Sequence, residues 1–98
     1  MDDSILWLCA WYKKNCDQNW EHSYGITIET TDNPGWMIKI DLNETSYENL
    51  DDIPWQYFEI SSEDWYGYKK ENNKFEATGS PFRLGYIINI FRQVINEE

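Results

Sequence analysis

Two alternating segments meet at a Pro-Gly turn, and no other stretch restricts the possible folds of this chain as strongly. Tyr24, Ile26, Ile28 and Thr30 alternate with polar or small residues, as Trp36, Ile38, Ile40 and Leu42 do with Met37, Lys39 and Asp41. A period of two puts one set of side chains on one face, so both segments read as half-buried strands. Asn33-Pro34-Gly35 joins them, with Pro34 suited to position i+1 of a type II turn and Gly35 to its positive-φ position i+2. An antiparallel pair follows.

The remaining elements fall around that pair. Ser4 is expected to cap a helix from Ile5 to Lys14, with Asp2 and Asp3 at its positive end and Lys13 and Lys14 at its negative end. Ile5, Leu8, Cys9 and Tyr12 have helical spacing and are expected to face the core, which makes Cys9 a buried thiol. Trp7 and Trp11 share a neighbouring face, where they either widen the buried stripe or reach a partner. The polar, acidic run from Asn43 to Pro54 reads as a connection. Trp55 to Ile60 and Trp65 to Lys70 read as a second hairpin across Ser61-Ser62-Glu63-Asp64, followed by a short strand near Phe75 to Thr78. Ser80 and Pro81 then open a last helix carrying Leu84, Ile87, Ile88, Phe91, Val94 and Ile95 at helical spacing. Helix, about five strands and helix, without a βαβ repeat, predict an α+β domain over residues 1–98. Both helices cover one face of its antiparallel sheet and leave the other face available.

Composition narrows what such a domain does. Six Trp, seven Tyr and four Phe in 98 residues supply enough apolar area to offset chain entropy without disulfides. Two cysteines and one histidine make no four-ligand metal pattern, and no metal or cofactor is expected. No signal sequence and no membrane-length apolar run are read in the chain, and a cytoplasmic protein is expected. The formal charge is −10, from 18 acidic and 8 basic residues. Asp41, Glu44, Glu48, Asp51, Asp52, Glu59, Glu63 and Asp64 lie in one window with no Lys or Arg, so it holds −8 and the rest of the chain −2. Such a field repels nucleic acid and anionic lipid and attracts basic partners. The same window also reads as a solvated surface that aids solubility.

Between Cys16 and Trp36 lie Trp20-Glu21-His22 and Asp32-Asn33-Pro34-Gly35-Trp36. This ordered series resembles the immunity protein 53 family, small cytoplasmic antidotes encoded beside toxins in bacterial polymorphic toxin systems. Weaker matches extend it from Trp7-Leu8 and Trp11-Tyr12 through Asp41-Leu42 to Asp64-Trp65, Phe75, Gly79 and the C-terminal apolar segment. The resemblance implies inhibition of a cognate toxin and does not fix which toxin. It also carries a sulfurtransferase label, to be tested against the residues.

The most enzyme-like set is Cys16, Glu21 and His22, since an imidazole within reach activates a thiol and a carboxylate orients the imidazole. A persulfide site needs amides and basic side chains around its cysteine, yet Asp17-Gln18-Asn19-Trp20-Glu21 follows Cys16 and holds no arginine. His22, at the start of a strand, reads more simply as a structural or interface residue. Glu21 has backbone amides, Arg83 or a cationic partner as possible donors. Asp32-Asn33-Pro34-Gly35 is explained as a turn that also displays Asp32 or Trp36.

No catalytic residue is therefore assigned, and the chain is read as a toxin inhibitor acting by protein–protein contact on a cognate, basic toxin such as a nuclease. The candidate contact residues are Trp20, Glu21, His22, Asp32, Trp36, Asp51, Asp52, Trp55, Glu63, Asp64 and Trp65, which join large rings to a charged rim. The rival readings are a small cysteine enzyme using Cys16 and His22, and an acidic mimic of nucleic acid.

Overall fold

The alternating segments pair as their pattern requires. In the computed structural model, which describes residues 3–96, β1 (Ile26–Thr31) and β2 (Gly35–Asp41) form an antiparallel hairpin in which Ile26 faces Ile40 and Ile28 faces Ile38. β3 (Ile53–Ser61), β4 (Asp64–Glu71) and β5 (Lys74–Gly79) form a meander, and β5 docks antiparallel against β2. The five-stranded sheet has the order β1-β2-β5-β4-β3, so β1 and β3 are its edges. Pro54 lies in β3, where a missing N–H is tolerated because the strand is an edge.

Register assigns the faces. Ile38 and Ile40 of β2 lie beside Ala77 and Phe75 of β5, which lie beside Tyr68 and Lys70 of β4. This inner face is covered by α1 (Ser4–Asn15) and α3 (Leu84–Val94), whose Leu8, Trp11, Ile87, Ile88 and Phe91 join Ile38, Ile40, Phe75 and Ala77 in one buried core. Trp11 meets Phe91 edge to face at 5.0 Å and Trp20 at 5.7 Å between ring centroids. The fold is α+β, with terminal helices on one face of an antiparallel sheet.

Several expectations require correction. α1 begins at Ser4, which is buried inside the helix, and Asp3 precedes it without a side-chain cap. Asp2 lies outside the described residues. Ser4, Leu8 and Trp11 are the buried positions of α1, while Ile5 is 50% and Tyr12 41% exposed and Cys9 is exposed. Residues 5–12 are apolar all round, so spacing alone does not choose a face. The larger area of Trp7 and Trp11 turns the helix by about one residue toward the core.

A one-turn helix α2 (Trp20–Ser23) replaces the expected lead-in to the first strand, so His22 sits on a helix. α3 starts at Leu84, after the Ser-Pro signal, because Ser80 is committed elsewhere: its Oγ accepts from Trp65 N at 3.2 Å. The connection after β2 is anchored by Tyr47 in the core and by Lys70, whose Nζ donates to Leu50 O and to Asp52 Oδ1.

Gly35 is needed for a different reason from the one its sequence suggests. Its φ is not positive; it opens β2 opposite Thr31. A Cβ there would lie 2.4 Å from the Gly79 carbonyl oxygen and 3.0 Å from Trp65 Cη2, so close approach excludes a side chain. Gly35→Ala is expected to destabilise the protein by about 1–3 kcal/mol through forced displacement of backbone and indole. An unchanged urea midpoint in chemical denaturation would contradict this packing.

Candidate functional site

The largest rings that the core leaves outside gather on and around β3. Trp55, Tyr57, Phe58 and Ile60 are 52%, 49%, 42% and 59% exposed. Alternation sends Tyr57 to the outer face opposite Gly67 and Phe58 to the inner face opposite Tyr66. Trp55, two residues before Tyr57, shares the outer face, where its indole lies over Gly67 and stacks on Tyr57 at 6.4 Å. Gly67 permits this because a Cβ there would meet Trp55 Cη2 and Cζ2 at 2.6 Å. On the inner face, Phe58 stacks on Tyr66 at 5.0 Å, and with Tyr86, Ile90 and Val94 of α3 it lines an open cleft of about 310 Å³. Phe82, just before α3, is fully exposed.

The residues singled out from sequence separate into distinct places. Trp20 is fully buried and donates from Nε1 to Asp41 O at 3.2 Å, so it belongs to the core. Trp65 is buried against the Gly35 backbone, and Trp36 is half-buried with Nε1 donating to Pro81 O at 3.0 Å. Asp32 is exposed in the β1–β2 turn. Asp51, Asp52, Trp55 and Glu63 are exposed along β3 and its two ends, although Asp52 also pairs with Lys70 at 3.4 Å. Tyr57, Phe58, Ile60, Phe82 and Tyr86 share this surface and escape a sequence reading. A strand apolar on both faces normally signals a central strand, and only the β2–β5 pairing makes β3 an edge.

The group that resembled a catalytic set is occupied with local structure. Glu21 accepts from the amides of Asp17 at 2.9 Å and Gln18 at 2.8 Å, while Asp17 Oδ1 accepts from Asn19 and Trp20 amides. These reciprocal bonds order the 17–20 turn that leads into α2, and the amide donors hold both carboxyls below their usual range. Cys16 Sγ donates to Tyr12 O at 3.2 Å, and His22 is exposed. No Cys16–His22 hydrogen bond forms among the described residues. Among the described residues no cluster of three or more His, Cys, Asp or Glu suited to a metal occurs, and no helix is long and apolar enough to cross a membrane.

Asp64 is tied to Arg83 by two hydrogen bonds, Nε to Oδ1 at 2.7 Å and Nη2 to Oδ2 at 3.0 Å. The guanidinium packs over Tyr86 at 4.5 Å and Tyr66 at 5.0 Å, so this pair joins the β3–β4 turn to α3. Arg83, first by hydrogen bonding and also by its charge, lowers the Asp64 carboxyl below its usual value. The stabilisation is therefore present above the unfolded-state value of about 3.9 and is lost as pH falls through the lower folded value. Asp64→Asn is expected to flatten the loss of stability with acidification below about pH 4. An acid limb identical to wild type in pH-dependent melting would contradict a stabilising role for the pair.

No curated protein and no solved structure matches the chain. The family model described as Immunity protein 53 matches residues 5–96. That span runs from the first turn of α1 past the end of α3, taking in the whole sheet and the β3 surface, and the chain belongs to the immunity protein 53 family.

Proposed function

We propose that this protein neutralises a cognate bacterial toxin by binding it in the cytoplasm, without turnover or a cofactor, and that the bound face of the toxin is basic. Family membership supports a toxin as partner. The observation that carries the finer reading is the juxtaposition of exposed Trp55 and Tyr57 with Asp51, Glu59 and Glu63, acids that enter no ion pair among the described residues. Rings desolvate well and anchor a complex, while surface acids without a cationic partner draw a cationic protein toward it. A nuclease cleft built for phosphate is a target of that chemistry, and the same acids repel nucleic acid itself. Cys16 and His22 make no thiol–imidazole hydrogen bond among the described residues, which favours binding over catalysis.

Co-expression with the toxin domain encoded beside this chain's gene is expected to restore growth, and the purified pair to form a complex. Neutralising Asp51, Glu59 and Glu63 to Asn or Gln should slow association by roughly tenfold at low salt and flatten its salt dependence, with the dissociation rate little changed. Equal association rates for parent and variant in stopped flow at low and high salt would remove the charge argument. Absence of a complex with the parent would remove the toxin-binding reading.

A further inference from the structure

We propose that β3 is the docking edge for the toxin, which adds a basic strand to the sheet alongside Gln56–Glu59. This rests on the toxin-binding reading above and names its site. β3 hydrogen-bonds to β4 on one side, and no described strand lies on the other. A free edge presents unpaired N–H and C=O groups as a template for another chain, and proteins normally blunt it with charges or cover it. Here nine residues carry exposed Trp55, Tyr57, Phe58 and Ile60 on the two faces, with Glu59 as the one charged residue of the strand. An added strand would place its side chains beside these rings on both faces and remove them from water. The opposite edge is the contrast: β1 has six residues, carries three Thr and Glu29, and has no aromatic ring.

Geometry limits the site. Pairing of β3 with β4 shifts register between Ile53 and Gln56 and again between Glu59 and Ser61, so Gln56–Glu59 is the regular run. Pro54 closes the edge at its start, having no N–H to donate.

Charge decides what occupies it. A second copy laid antiparallel along Gln56–Glu59 would bring Asp51 and Asp52, just before one copy's β3, toward Glu63 in the turn after the other's. Like charges would then approach at both ends of the pair, which opposes self-association. A strand with Lys or Arg at both ends and apolar residues between them reverses every one of those contacts.

Hydrogen exchange on this protein with the toxin domain encoded beside its gene provides the test. Exchange of the outward amides within Gln56–Glu59 is expected to slow by at least about tenfold in the complex, as for amides entering a ladder. Ile60→Lys adds a cation to the strip at a position with no packing partner in the core. It should weaken the complex by at least about tenfold while melting like the parent. A parent complex in which β3 exchanges as it does alone would overturn strand addition and leave toxin binding standing. The absence of any complex would overturn both. Concentration-dependent dimers that protect Gln56–Glu59 without toxin would give the edge to self-association and overturn the proposal.

Discussion

Burial of the Trp11 indole is the constraint from which the rest of this architecture follows. Its ring meets Trp20, Tyr47 and Phe91 with centroids 5.0–5.8 Å apart. One side chain thus ties α1 to α2, to the connection after β2 and to α3. The ring's Nε1 is buried without a hydrogen-bond partner among the described residues, a cost of about 1–3 kcal/mol. Removing such a ring from a packed core typically costs about 3–5 kcal/mol, so apolar burial outweighs the lost hydrogen bond. Fixing Trp11 inward also fixes the rotation of α1, and that rotation places Ile5, Cys9 and Tyr12 in solvent.

The helical layer closes over β2 and β5, where Ile38, Ile40, Phe75 and Ala77 are buried. β3 is out of its reach except at the cleft between Phe58 and α3. Two populations of aromatic residue result, one packed around Trp11 and one displayed on an edge strand. The acidic window divides in the same way. Asp52 and Asp64 are engaged by Lys70 and Arg83 and hold the connection and the β3–β4 turn in place. Asp51, Glu59 and Glu63 remain as surface charge. A local excess of acid in the sequence thus contains both structural pairs and a field that a basic partner would feel.

Alternation made the strands legible, because a period of two survives in single residues such as Ile26, Ile28, Ile38 and Ile40. Helix faces were harder. In α3 the polar Asn89, Arg92 and Gln93 gather on one side at helical spacing, so its buried side was readable, whereas α1 is apolar on every side from Ile5 to Tyr12 and its orientation depends on tertiary competition among rings. Ser80 and Pro81 looked like a helix start, but the Ser80 hydroxyl accepts from Trp65 N, a contact between residues fifteen apart that local pattern does not show. Gly35 reads from sequence as a positive-φ turn residue, whereas it opens β2 and is needed for close packing against Gly79 and Trp65, which is invisible before the sheet is assembled. Of the candidate contact residues, Trp55 is displayed and Trp20 is core. Nothing in their local sequences separates them: strand order leaves Trp55 on an edge, and the packing of α2 against Trp11 and the end of β2 buries Trp20.

The claim at the centre of this account is that the displayed rings meet the partner while the Trp11 cluster only holds the fold. Fluorine NMR of protein labelled with fluorotryptophan, each of the six indoles assigned by substitution, measures this directly on titration with the cognate toxin. The account predicts a large shift or broadening of the Trp55 resonance, with those of Trp11 and Trp20 unchanged. Perturbation of Trp11 and Trp20 with an unmoved Trp55 would contradict it.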